Sequence, residues 1–95
     1  MTLAMSSTVV VAADVLSSEL GSEHVLLNLS DGVYYGLEAA GSEIWRLVQR
    51  PITVAEICRI VSEAYDVEPE RCRADVIRLL SDMAERRLVD VRTDV

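Results

Sequence analysis

Two thiols, Cys58 and Cys72, and the single histidine, His24, are side chains that could act as nucleophile and proton acceptor. The cysteines form no Cys-x-x-Cys motif, and one histidine leaves a zinc site short of ligands. Neither cysteine is close to His24 in sequence, so no base is expected beside a nucleophile. We therefore predict a protein that is not an enzyme, with no metal and no cofactor. Its two reduced thiols, in or near a core, are typical of a cytoplasmic protein.

The bulk composition is that of one small acidic domain. The chain has 95 residues, of which 51% are apolar, and this is enough for a single core. Nine basic against sixteen acidic residues give a net charge of -7, which argues against nucleic acid or an anionic membrane as a partner. The apolar run at residues 9–13 is too short for a signal peptide or a membrane span. We expect a flexible tail over residues 1–7 and one domain over residues 8–95.

Residues 15–37 carry the pattern of a three-stranded antiparallel meander. In the second strand apolar residues alternate with period two, which predicts one buried face. The side chains expected on that face are Val25, Leu27 and Leu29. Asp31-Gly32 is a strong turn dipeptide and leads into a return strand over residues 33–37. The return strand is expected to be a sheet edge, and such an edge can receive an extended peptide.

Two adjacent tyrosines in the return strand point to opposite faces of the sheet. Tyr35 shares a face with Val33 and Leu37 and is expected to contact the core. Tyr34 is expected on the other face with Leu26, either as a contact for a partner protein or as a half-buried ring.

The remainder of the chain is helical. Ser42 is expected to cap a first helix that buries its tryptophan, and Thr53 with Glu56 forms a capping box for a second. Pro69 suits the first turn of a third helix. Short extended segments are expected at residues 9–11 and 88–91. The predicted fold class is α+β, a winged helix-turn-helix-like arrangement with a three-stranded antiparallel sheet followed by three helices.

The third helix has two adjacent apolar stripes. The first contains Ile77, Leu80, Ala84 and Leu88, and the second contains Cys72, Val76, Leu79 and Met83. A helix that covers a small sheet needs only one stripe. The second stripe either packs on another helix or forms the wall of a groove beside the edge strand, a place where methionine adapts well.

The ordered set of these residues resembles the PqqD-like family, small winged-helix elements that recognise ribosomally made precursor peptides before their modification. The matching segments are residues 25–29, 32–37, 41–45, 51–57, 75–80 and 88–89. The chain looks most like the stand-alone leader-binding proteins of lasso-peptide pathways. The resemblance implies that it binds the leader segment of a precursor and presents it to a separate leader peptidase, a transglutaminase-like cysteine protease. A macrocyclase that closes the ring is the further implied partner.

The resemblance also implies a binding mode, in which the leader adds as an antiparallel strand to the return strand and lies against the third helix. On this chain the edge would be Gly32, Val33, Tyr34, Tyr35, Gly36 and Leu37. The wall would be Val76, Leu79 and Met83. The rim would be Asp75, Asp82 and Arg86, which either pair with charges of the leader or form a solvated helix face.

Two other functions stay open. Within the same family, the chain is an alternative candidate for a PqqD-type peptide chaperone of a radical S-adenosylmethionine enzyme or another peptide-modifying enzyme. A winged-helix DNA-binding regulator would have a similar topology. The mixed charge of the third helix and the acidity of the chain argue against that regulator.

Overall fold

The computed structural model describes residues 3–92. Within this range the strands are β1 (Thr8–Val11), β2 (Val15–Leu20), β3 (Glu23–Asn28), β4 (Val33–Leu37), β5 (Ile52–Thr53) and β6 (Val89–Arg92). The helices are α1 (Ala40–Leu47), α2 (Val54–Tyr65) and α3 (Pro69–Glu85). The α+β class and the predicted meander followed by three helices are confirmed. The six strands form two sheets of three, whereas only one sheet was predicted.

The first sheet is the predicted meander, with strand order β2-β3-β4, so β4 lies at an edge. Gly32 has a φ of 70° in the turn before β4, a conformation that costs glycine little because it has no Cβ. The register pairs Leu26 with Tyr35 and Leu27 with Tyr34. Because directly opposite residues share a face of the sheet, the prediction that Tyr34 lies on the same face as Leu26 is wrong.

The buried face of β3 is the reverse of the predicted one. Leu26 is fully buried and shares its face with His24 and Asn28, which are also buried. On the predicted face, Val25 and Leu27 are half-buried and Leu29 is exposed. Because the inward-facing residues His24 and Asn28 are polar, the alternation of apolar residues in the sequence does not indicate the buried face correctly. Each of them has a hydrogen bond inside the fold that compensates for its burial.

The second sheet has the order β5-β1-β6 and pairs the first strand of the described chain with the last. The two predicted extended segments pair with each other in antiparallel register, with Val9 opposite Val91 and Val11 opposite Val89. This pairing links residues that are far apart in sequence, and no local pattern in the sequence specifies it.

Residues 3–7 pack against the start of α2. The carbonyls of Ser7 and Met5 accept hydrogen bonds from the N–H groups of Val54 and Ala55 at 3.0 and 2.9 Å. The first N–H groups of a helix have no partner within the helix, and this segment supplies two acceptors. Leu3 is buried as well. The expected flexible tail therefore does not describe residues 3–7, and residues 1–2 lie outside the described range.

The helix ends follow the predictions for α2 and α3 but not for α1. Thr53 Oγ1 accepts a hydrogen bond from the N–H of Glu56 at 3.2 Å, and Pro69 stands in the first turn of α3. The N-cap of α1 is Ala39, with a φ of 52° and no side-chain hydrogen bond. The prediction that Ser42 caps this helix is wrong, because Ser42 lies inside α1 and is buried against the sheet.

A single core fills the space between the helices and the two sheets. Trp45 is 1% exposed, which confirms its predicted place in the core. Both cysteines are free and buried, and burial raises the pKa of each thiol. None of the helices within residues 3–92 is both long and apolar enough to cross a bilayer.

Candidate functional site

The edge strand β4 has unpaired backbone groups along one side. β4 pairs only with β3, so alternate residues of β4 direct their N–H and C=O groups away from the sheet. Tyr35 and Leu37 are half-buried on the core side of the strand, and Tyr34 is 69% exposed on the other. The half-buried position of Tyr35 agrees with the prediction. The edge offers an extended chain both a hydrogen-bonding ladder and partly exposed apolar side chains.

The helix wall opposite β4 is narrower than the two-stripe pattern predicted. Val76 and Met83 are 3% and 2% exposed and belong to the core, as does Cys72. The second stripe therefore packs mainly inside the fold. Leu79 is the member of that stripe that stays half-buried. It is the apolar side chain of the wall that a ligand can cover further.

Leu37 of β4 and Leu79 of α3 converge beside the first turn of α1. A Cβ placed on Gly41 would lie 3.6 Å from Leu37 Cδ2 and 3.8 Å from Leu79 Cδ2. The two side chains therefore border the same point, and glycine leaves the space between them unfilled. We call the space between β4 and α3 the cleft. Sequence reasoning missed the part that Gly41 plays, because a glycine near a helix start also has simpler explanations.

An apolar cavity of about 220 Å³ opens at this end of the cleft. It lies between α1, α2 and α3, and Ile44, Val76 and Leu79 are among its apolar lining. Asp75 is the one charged residue in the lining. Since Leu79 borders both spaces, a side chain from a peptide in the cleft could reach into the cavity.

Arg86 closes the other end of the cleft. Its guanidinium carbon lies 5.4 Å from the centroid of the Tyr35 ring, within the range of a cation–π contact. Its Nε donates to Asp82 Oδ1 at 3.2 Å, and this hydrogen bond raises the pKa of Arg86. The carbonyl of Arg86 accepts a hydrogen bond from Asn28 Nδ2 at 2.9 Å. Arg86 thus links the meander to the C-terminal end of α3.

Asn28 was missed by sequence reasoning, although it carries a usable signal. It is buried at the end of β3, and its Oδ1 also accepts the N–H of Ser30 at 2.9 Å. A polar amide within an apolar strand is a candidate for such a structural link, because burial without partners would be costly.

The charged residues at the rim are solvated. Asp75 pairs with Arg78 at 3.1 Å, and the side chains of both are at least half exposed. Asp82 and Arg86 are exposed to a similar extent. Exposed pairs of this kind contribute little to stability, so they can exchange partners with a charged ligand at small cost.

A histidine and a serine hydroxyl meet inside the fold, contrary to the expectation of no base beside a nucleophile. His24 Nδ1 is hydrogen bonded to Ser42 Oγ, and Glu19 Oε1 lies 3.8 Å from His24 Nε2. Ser42 is 1% exposed, so no substrate can reach its hydroxyl. The contact fastens α1 to β3. Nowhere in residues 3–92 do three His, Cys, Asp or Glu residues form a group that could hold a metal ion.

Comparisons with known proteins agree with this arrangement. The structure of TbiB1 in complex with the TbiA(beta) leader peptide has a TM-score of 0.82 and 30% sequence identity, over 90% of this chain and 99% of that chain. The solution NMR structure of the PqqD truncation of Methylobacterium extorquens PqqCD, described as a functional, stand-alone recognition element, has a TM-score of 0.76. Its identity is 23%, over 94% of this chain and 95% of that chain, so it supports the fold alone.

The sequence matches none of the curated proteins. The model of the family named coenzyme PQQ synthesis protein D, PqqD, matches residues 23–89. This range is more than half of the chain and contains β3, β4 and all three helices. On this match and on the likeness to TbiB1, the chain belongs to the PqqD family.

Proposed function

We propose that this chain is a non-catalytic recognition element for the leader segment of a ribosomally made precursor peptide. The leader adds as an antiparallel strand to β4 and places alternate side chains in the cleft against α3. The observation that carries the proposal is the free edge of β4 beside half-buried Leu37 and Leu79. The similarity to TbiB1, whose structure contains a leader peptide, supports leader binding.

Backbone hydrogen bonds and side-chain burial would contribute differently to recognition. Each strand hydrogen bond adds about 0.5 to 1.5 kcal/mol with little dependence on the leader sequence. An apolar leader side chain buried at Leu79 or in the adjoining cavity adds about 1.5 to 3 kcal/mol and depends on its shape. Ordering the leader costs about 2 to 5 kcal/mol, so binding requires both contributions.

The precursor is a lasso peptide in our proposal, and the bound leader is presented to a separate leader peptidase. The similarity to TbiB1 in its leader complex supports a leader-binding role. The second candidate is a peptide chaperone for a radical S-adenosylmethionine enzyme. It is favoured by the description of the matching family as a coenzyme PQQ synthesis protein.

The experiment that tests leader binding is a fluorescence-polarisation titration with a labelled synthetic leader from the precursor gene beside this one, and a scrambled leader as the control. We expect saturable binding of the true leader only. Absence of binding up to about 100 μM would remove the support for the proposed function. Addition of the purified peptidase, or of the radical enzyme, to the complex then separates the two candidates by which one processes the precursor.

A proline at Tyr34 tests strand addition separately. The substitution removes one N–H from the free edge strand and changes a side chain that is already exposed. We expect leader affinity to fall by about 2- to 13-fold, the value of one hydrogen bond. A folded variant with unchanged affinity would place the docking strand elsewhere.

A further inference from the structure

The meander has a second apolar surface, on the side away from the core. The register places Leu16, Leu27 and Tyr34 in one row across β2, β3 and β4, and Val25 and Leu20 continue the same face. We call these five residues the outer face. Leu16, Leu20 and Tyr34 are 57%, 61% and 69% exposed. A contiguous exposed apolar face on a small domain is typical of an interaction surface.

The segment of the chain that forms the outer face carries charges of one sign only. Residues 1–45 contain six Asp and Glu and neither Lys nor Arg. Two of the six, Glu19 and Glu43, pair with Arg46. Within residues 3–92 the other four have no ion pair: Asp14, Glu23, Asp31 and Glu38. Glu23 lies directly opposite Leu20 on the outer face itself, and Asp31 is in the turn at the hairpin tip.

The exposed apolar face and the unpaired carboxylates together favour one kind of partner. Unpaired carboxylates around an apolar centre fit a protein surface with an apolar centre and a rim of Lys and Arg. A second copy of this chain fits poorly, because two acidic rims would face each other. An anionic membrane is disfavoured for the same reason.

The position of the outer face relative to the cleft also bears on the partner. Side chains of β4 alternate between the two sides of the sheet, so Tyr35 and Leu37 border the cleft while Tyr34 belongs to the outer face. A peptide on the β4 edge leaves β2 uncovered, since β2 is the opposite edge strand. The cleft and the outer face can therefore be occupied at the same time.

We propose that the outer face docks the leader peptidase, through an apolar patch rimmed by basic residues on that enzyme. This inference rests on the proposed function, because it supplies the surface by which a leader-loaded element reaches its enzyme. The leader occupies one side of the domain and the peptidase approaches from the other side, next to the bound strand.

The test measures the affinity of the purified leader peptidase for the wild type and for two variants, Leu16→Thr with Leu20→Thr, and Glu23→Lys. The double variant removes exposed apolar area from β2 and should weaken peptidase binding at least about tenfold. Glu23→Lys should weaken it about three- to tenfold and reduce its dependence on salt between about 50 and about 300 mM NaCl. The matched control is Asp90→Lys, the same charge change at an exposed position in β6, which should leave the affinity within about twofold.

The affinity for the labelled leader, measured on the same samples, separates this inference from the proposed function. None of the substituted residues lies in the cleft, so we expect unchanged leader binding. If leader binding is normal and both outer-face variants bind the peptidase as tightly as the wild type, the proposed docking surface is refuted. The proposed leader-binding function is not affected by that result. Equal losses in Glu23→Lys and Asp90→Lys would refute a localised acidic rim. A dimer in sedimentation that dissociates in the leucine variant would assign the outer face to a second copy and also overturn the proposal.

Discussion

Leu79 provides the sharpest test of the cleft, because it is half-buried in the free protein and borders both Leu37 and the apolar cavity. Full burial of a leucine is worth about 1.5 to 3 kcal/mol, and at most about a third of Leu79 is still exposed, so a leader that covers it gains up to about 0.5 to 1 kcal/mol. Leu79→Ala should therefore raise the Kd for the leader by up to about 2- to 5-fold. Leu79→Arg places a charged group in the apolar mouth and should abolish saturable binding up to about 100 μM.

Both variants should remain folded. Truncation of a fully buried leucine costs about 2 to 5 kcal/mol, and truncation of a partly exposed leucine such as Leu79 costs less. That loss is smaller than the stability of a typical domain, about 5 to 15 kcal/mol. An arginine at this position can also pair with Asp75 or Asp82, which lie one helical turn away on either side.

The assay is the polarisation titration of the labelled leader, with urea unfolding followed by Trp45 fluorescence as the measure of folding. The matched control is Ile77→Ala, which truncates another half-buried aliphatic side chain of α3, about 200° around the helix from Leu79. It should lower the urea midpoint and leave the Kd unchanged. If both Leu79 variants fold and bind the leader with the affinity of the wild type, the proposal that the leader binds in the cleft is refuted. Unfolding of both would make Leu79 a core residue.

Three further predictions concern the framework of the site. Asn28→Ala removes the bond to the C-terminal end of α3 and should cost about 1 to 3 kcal/mol by urea unfolding; a variant as stable as the wild type would show that this link contributes nothing. A hydrogen bond from Arg46 lowers the pKa of Glu19 below its usual 4.5, so the stability that this pair adds is present above that pH and is lost as the pH falls through the lowered value. Glu19→Gln should accordingly lower the urea midpoint near neutral pH, and the gap to the wild type should close below pH 4.5; a constant gap would contradict the linkage. Finally, burial raises the pKa of the Cys58 and Cys72 thiols, so mass spectrometry should find no iodoacetamide adducts on the native protein and two after unfolding in urea, whereas rapid native alkylation would contradict their burial.

The elements that the sequence predicted well are those determined by neighbouring residues. The turn at Gly32, the cap at Thr53 and the start of α3 at Pro69 each depend on the conformational preference of one or two residues. The edge position of β4 followed from the order of the meander. These features were enough to predict the β4 side of the candidate site.

The features that were missed depend on contacts between distant residues. Periodicity assigned the wrong face of β3 to the core because His24 and Asn28, both polar, find partners in α1 and at the end of α3. The stripe on α3 looked available for a groove because the sequence does not show how closely α2 packs on Val76 and its neighbours. The burial of residues 3–7 could not be read locally either, because their partners are the first N–H groups of α2.

The pairing of β1 with β6 also has a consequence for gene fusion. Thr8 lies opposite Arg92, so the first and last strands of the described chain lie side by side, and neither strand lines the cleft. An enzyme could be joined through a short flexible linker at either end, or the domain inserted into a loop, without stretching the chain across the cleft. Such a tether would replace bimolecular encounter by an effective concentration in the millimolar range, on the order of that for short flexible linkers. Weak docking between the domain and its enzyme would then suffice for efficient transfer of the bound peptide.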